Sequence, residues 1–295
     1  MGFFRRKQTL VAVALIVLLC VGALLLLGTS SQPTTVVPEK KHTDTKHEVI
    51  GHSVEGRPIE SYTYGTGGTH LVFVGGIHGG YEWNSVLLAY QFMDYLEQNP
   101  TTLPANISVS VIPSANPDAV YAVAGKEGQF LSTDVTTDKE ALAVARFNAN
   151  KVDLNRNFDC KWQPKSTWQS KSVSAGTSAF SEPEAVALRD FFLAHTPDAV
   201  VFWHSQAGAV YASECGQGIL PKTTDIMNVY AKASGYKPIP SFDAYAVTGA
   251  AEDWLASLDI PAITVELKIH ESVEWEENLA GSKALLDYYT PKSAY

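Results

Sequence analysis

From about His47 onward, short apolar runs alternate with amphipathic stretches. Leu71–Val74, Ile107–Ile112, Ala199–Trp203 and Ala262–Leu267 are apolar runs bounded by turn-forming residues, which predicts buried strands. Asn84–Leu96 predicts a helix. Ser181-Glu182-Pro183-Glu184 reads as a capping box with proline in the first turn, opening a helix to about His195. Ala250–Leu258 and Lys283–Tyr289 predict two more. Alternating strands and helices predict one α/β domain over residues 47–295, with a mixed, mostly parallel central sheet flanked by helices on both faces. In such sheets ligands gather at the carboxyl ends of the strands, so chemistry is expected in the polar residues that follow them.

Before His47 the pattern differs. Arg5, Arg6 and Lys7 precede Leu10–Leu27, 18 residues without a charge. A secretory apolar region runs ~7–15 residues and a spanning helix ~17–25, so residues 1–28 are expected to be a membrane anchor. The basic flank places that end in the cytoplasm and the body outside. The alternative is a long signal peptide cleaved near Gly28–Ser31, which leaves a secreted body. Residues 29–46 are polar and aperiodic and read as a flexible tether.

Composition narrows the partners. The chain is 45% apolar and 18% charged, which supports a large core. Residues 1–45 hold five bases and two acids, which leaves the body with 17 bases and 29 acids, net −12. So acidic a body argues against nucleic-acid binding, which needs clustered Lys and Arg. Three cysteines are too few for a disulfide scaffold or a Cys-rich zinc module.

Two strand ends carry candidate chemistry. Val74-Gly75-Gly76-Ile77-His78-Gly79-Gly80-Tyr81-Glu82 places a His and a Glu after the first predicted strand. Ala199–Trp203 runs into His204-Ser205. Two His and one carboxylate make a catalytic zinc set, with a fourth position open for water. Each piece alone is weak, because a His after a strand is more often a hydrogen-bonded structural residue. The other six His (42, 47, 52, 70, 195 and 270) are read as structural.

Between these pieces runs Arg146-Phe147-Asn148-Ala149-Asn150-Lys151-Val152-Asp153-Leu154-Asn155-Arg156-Asn157-Phe158. With His78, Glu82 and His204, it resembles the zinc metallocarboxypeptidase family, the carboxypeptidase A-like peptidases, in a short bacterial form. The likeness runs in order along most of residues 48–270. Ile50–Ile59 looks like the family's opening segment, and Asn116-Pro117-Asp118 looks like its turn.

The resemblance implies that His78, Glu82 and His204 ligate one Zn2+ and that Asp153 orients the first His. It implies that Arg146 stabilises the oxyanion and that Asn155 and Arg156 hold a substrate's terminal carboxylate. Tyr245, eight residues before Asp253-Trp254, matches the mobile carboxylate-binding tyrosine. Glu266 matches the general base that takes a proton from water and returns it to the leaving amine. The expected reaction is hydrolysis of the C-terminal peptide bond of a peptide with a free carboxylate.

The chain departs from the family pattern in places. Three residues, not the usual two, separate His78 from Glu82. An insertion within a helix would rotate Glu82 by roughly 100°, so the extra residue is expected in the Gly79-Gly80 turn. Gln206 stands where animal enzymes often have tyrosine. By alignment on Asp253-Trp254, Glu252 falls at the floor of the terminal side-chain pocket. There it would favour basic or diaminopimelate-type residues, including those of cell-wall peptides; the alternative is an exposed first-turn glutamate. Cys160 and Cys215 each follow an active-site segment, and are either a disulfide or two unrelated free thiols. Two other functions fit less well: a zinc deacylase of N-acyl amino acids, and a non-catalytic peptide-binding module.

Overall fold

Alternate residues of the central strands enter opposite cores in the computed structural model, which describes residues 45–291. Leu71, Phe73, Val201 and Val265 join one cluster, whereas Val72, Val74, Val200 and Phe202 join the other. Successive side chains of a strand point to opposite faces, so an unbroken apolar run is what a sheet covered on both faces requires. The strands are β1 (Lys46–His52), β2 (Pro58–Tyr64), β3 (Thr69–Val74), β4 (Ile107–Ile112), β5 (Lys165–Trp168), β6 (Lys171–Ser174), β7 (Ala199–Ser205), β8 (Ala209–Ala212), β9 (Lys237–Ile239) and β10 (Ala262–Leu267). Eight form a sheet in the order β1-β2-β4-β3-β7-β10-β8-β9, and β5-β6 is a separate hairpin. The sheet centre, β4-β3-β7-β10, is parallel; β1-β2, β2-β4 and β10-β8 pair antiparallel, and the edge pair β8-β9 is parallel again.

The helices are α1 (Trp83–Gln98), α2 (Pro117–Ala124), α3 (Lys139–Val144), α4 (Pro183–His195), α5 (Pro221–Ser234), α6 (Ala251–Ala256) and α7 (Trp275–Tyr289). Helices α1, α5 and α7 cover one face, and α4 and α6 cover the other. Phe73, Phe92 and Trp203 stack within the first core at centroid distances of 4.9–5.7 Å. Each such buried side chain contributes about 1.5–3 kcal/mol.

The four predicted strands are present, with β7 extended to Ser205 and β3 starting at Thr69. Three expectations need correction. The Ser181–Glu184 capping box does not form. The N-cap is Glu182, without a side-chain cap bond. Ser181 Oγ donates to Glu182 Oε1, and Glu184 accepts from Val54 N and Asn148 Nδ2. The last helix begins at Trp275, well before Lys283. Asn116-Pro117-Asp118 is the start of α2, with Asn116 as N-cap. Buried Asp118 accepts from Ser53 Oγ, Glu55 N and Arg57 Nη1, which pins the opening segment. The expected anchor (1–28) and nearly all of the tether (29–46) lie outside the described residues. Among the described residues, no helix is long and apolar enough to cross a membrane.

Candidate metal centre and active site

Parallel pairing brings the carboxyl ends of β3, β7 and β10 to one edge of the sheet. His78 follows β3, His204 lies near the end of β7, and the register sets Glu266 of β10 beside His204. Between His78 and α1 the chain makes a 3₁₀ turn, Gly79–Glu82. Gly79 has φ +48°, and a Cβ there would lie 2.4 Å from Ala119 Cβ. The Gly-Gly pair thus lets the turn run tight against α2. Across this turn Glu82 returns to His78.

The three side chains converge and are buried. Glu82 Oε1 is 2.8 Å from His78 Nδ1, and its Oε2 is 3.0 Å from His204 Nδ1. The two Nδ1 atoms are 3.1 Å apart. On the far side of His78, Nε2 lies 3.4 Å from buried Asp153 Oδ1, which favours the proton on Nε2. The His78 Nδ1 lone pair then faces a second imidazole nitrogen and a carboxylate. That arrangement is repulsive unless a cation is shared, and the donor set suits zinc. The residues present fit the metal.

Electrostatics within the chain agree. Burial pushes the Glu82 carboxyl up, but His78 and His204 outweigh it and hold it well below the usual range. Burial likewise opposes ionisation of Asp153, and Arg146, Arg156 and His78 more than reverse this. Glu266 goes the other way. Burial first, then Glu82 and Glu252, raise it well above an ordinary carboxyl, against the pull of Arg146. Its Oε2 is buried without a hydrogen-bond partner among the described residues.

The central segment is fixed from several sides. Asn148 and Asn150 each donate through Nδ2 to Glu182 Oε2 at 2.8 Å. Arg146 Nε and Nη2 both reach Asp153 Oδ2 at 3.0 Å, and the guanidinium lies 4.6 Å from the Trp168 ring centre. Asp153 therefore binds Arg146 through Oδ2 and faces His78 through Oδ1. Asn155 Oδ1 accepts from Ala251 N at 2.8 Å, tying this segment to the start of α6. Buried Arg156 donates to the carbonyls of Asn155 and Thr167. No carboxylate lies within ion-pair distance of Arg156 among the described residues.

A cavity of about 620 Å³ joins these parts. His78, Glu82, His204, Arg146, Asn155, Arg156, Tyr245, Glu252 and Glu266 all line it. Tyr245 is half-buried in the loop before α6, its ring 4.8 Å from that of Phe242. Glu252 is buried in the first turn of α6, not exposed. Its Oε1 accepts from Asn155 Nδ2 (3.2 Å) and Thr264 Oγ1 (2.9 Å), and Oε2 is buried without a partner among the described residues. Cys160 and Cys215 form a disulfide.

Sequence reasoning missed several lining residues, among them Tyr81, Trp168 and His270. Trp168 sits on the β5-β6 hairpin, which has no strong period in the sequence. His270, read as structural, stands four residues past Glu266, and that proximity was the available signal.

A family model described as zinc carboxypeptidase matches residues 37–281. The chain is 26% identical over 241 residues to gamma-D-glutamyl-L-diamino acid endopeptidase 1 of Lysinibacillus sphaericus, covering 74% of this chain and 59% of that protein. It is 26% identical over 243 residues to carboxypeptidase B of Helicoverpa zea, covering 73% and 56%. The chain thus spans little more than half the length of these curated relatives. Among solved structures, murein-tripeptide amidase from Escherichia coli O157 shares the fold at a TM-score of 0.58 and 22% identity, covering 86% of this chain and 97% of that one.

Proposed function

The chain belongs to the zinc carboxypeptidase family and is a zinc metallopeptidase, and from that premise we propose that it releases a terminal residue bearing a free carboxylate and an amine-bearing side chain. Peptides ending in lysine or diaminopimelate, including cell-wall stem peptides, are the favoured class. The observation that carries the carboxylate requirement is Arg156. A guanidinium has five N–H donors, and this one makes three hydrogen bonds, all to neutral carbonyls, in the wall of the catalytic cavity. A buried cation with no carboxylate in direct contact among the described residues suits a substrate carboxylate. Asn155 and Tyr245 complete that cradle.

When bound by His78, Glu82 and His204, zinc would polarise the scissile carbonyl and acidify water. Glu266 takes the proton from the attacking water. It returns that proton to the leaving amine, a transfer suited to a carboxyl held above its ordinary pKa. Arg146, held by Asp153, faces the charge that develops on the carbonyl oxygen. Glu252 presents its unpartnered Oε2 to a substrate ammonium group.

The gamma-D-glutamyl-L-diamino acid named for the Lysinibacillus relative supports the diamino preference. The disulfide fits an oxidising compartment and supports an extracytoplasmic body, tethered by residues 1–28 or secreted after their cleavage. The test is a panel of peptides ending in Lys, diaminopimelate or Phe, with N-acyl amino acids as the deacylase arm. Glu252→Gln is expected to cut kcat/KM for the amine-bearing substrates at least tenfold and to leave the Phe substrate within twofold. Equal losses on all three would refute the pocket role.

A further inference from the structure

His270 lines the catalytic cavity from the loop after β10. Its surroundings fix both its position and its protonation. Asn84, in the first turn of α1, donates through Nδ2 to the carbonyls of Ile269 and Ser272, each at 2.9 Å. Both N–H bonds of that amide are therefore used, and the amide cannot be flipped without losing them. Asn84 Oδ1 is left as an acceptor and takes the Ser205 O–H at 2.9 Å. With its only proton committed, Ser205 Oγ accepts from His270 Nδ1 at 2.7 Å. A neutral imidazole has one N–H, so the ring carries it on Nδ1 and leaves Nε2 as a bare lone pair. No hydrogen bond to Nε2 exists among the described residues. Burial holds this imidazole below the ordinary histidine pKa, against the pull of Glu82 and Glu271. The Tyr81 ring, 4.7 Å from that of His270, backs it.

The segments that hold the cavity's lining residues are anchored in opposite cores. Leu154, Phe158, Ala251 and Trp254, which flank Asn155, Arg156 and Glu252, pack into the α4–α6 core. Trp83 and Val86, which flank Asn84, pack into the α1–α5–α7 core. The metal-ligating residues and Glu266 sit at the strand ends between them. With its terminal carboxylate on Arg156 and its scissile carbonyl near Glu266, a substrate has His270 on the wall anchored to the opposite core.

We propose that His270 is a substrate-positioning residue on the acyl side of the scissile bond, accepting through Nε2 a hydrogen bond from a backbone N–H of the residue that precedes the leaving group. This role rests on the hydrolase reading above. It selects N-acylated or longer peptides whose acyl-side nitrogen can donate.

Two measurements on the full chain test it. The first is 15N NMR of the histidine-labelled zinc-loaded protein, with the His270 signals assigned by their loss in His270→Phe. A protonated Nδ1 and a bare Nε2 are expected, and a proton on Nε2 would overturn the proposal. The second uses the best peptide substrate and the same peptide methylated on the acyl-side amide nitrogen. The unmodified chain is expected to favour the N–H form about fivefold in kcat/KM. His270→Phe should bring that ratio close to one, and His270→Gln, which offers an amide oxygen, should restore part of it. An unchanged ratio in His270→Phe overturns the role even where hydrolysis persists. If His270→Phe loses zinc or melts early, the His270→Gln ratio and the NMR tautomer decide. Absence of hydrolysis on every peptide would instead sink the hydrolase reading itself.

Discussion

Gly79→Ala would add a methyl group where the turn carrying Glu82 has no room for one. The new Cβ would lie 2.4 Å from Ala119 Cβ and 3.0 Å from the Ala145 carbonyl. Alanine at φ +48° also occupies the left-handed region, at a cost of about 1–2 kcal/mol. Overpacking against α2 adds about 1–3 kcal/mol, so the expected loss is roughly 3 kcal/mol. Relief requires the 79–82 turn to move away from α2, and that moves Glu82 relative to His78. Urea unfolding of the metal-free protein isolates the first effect, and zinc competition with a chelating dye reads the second. Gly68→Ala is the control, because a Cβ there meets nothing within 4 Å. The expected results are a stability loss of about 3 kcal/mol and zinc binding weakened at least tenfold, with the control unchanged. A Gly79→Ala protein matching the control in both would refute the placement of the extra residue in this turn.

Two further predictions concern stability. The Cys160–Cys215 bond closes a sequence separation of 55 residues, so loop entropy predicts a loss of up to about 4 kcal/mol for the double Cys→Ser variant, read by urea unfolding; no loss would mean the bond does not constrain the unfolded chain. Asp253 is raised from 3.8 to about 7, by burial and then by Glu252. In the folded state it keeps its proton while the unfolded chain has lost it, so this group's contribution falls as pH rises from about 4 to about 7. Asp253→Asn lacks that loss, and its stability relative to the parent chain should rise across the same interval and then level off. A difference independent of pH would contradict the shift.

Much of the site was legible because its chemistry sits at strand ends. The apolar runs marked β3, β7 and β10, and the polar residues after them are the ones the sheet brings together. What the runs could not give was register, the fact that sets Glu266 beside His204. The early part of α7 was hidden by Gly281, which reads as a helix weakener. In the structure that glycine is required, since a Cβ there would lie 2.5 Å from the Tyr230 ring. The capping box failed because Glu182 and Glu184 are claimed by Asn148, Asn150 and Val54, partners far away in sequence. His270 was missed for the same reason: its role depends on Asn84 and Ser205, which only the fold makes neighbours.

Zinc stoichiometry measured alongside peptide hydrolysis bears most directly on the claim that His78, Glu82 and His204 hold a catalytic metal. The parent chain should carry one zinc, lose it and all turnover to a chelator, and regain both when zinc is returned. His204→Ala should bind no zinc at micromolar concentration and hydrolyse nothing. Full hydrolysis in the metal-free protein, or stoichiometric zinc in His204→Ala, would contradict it.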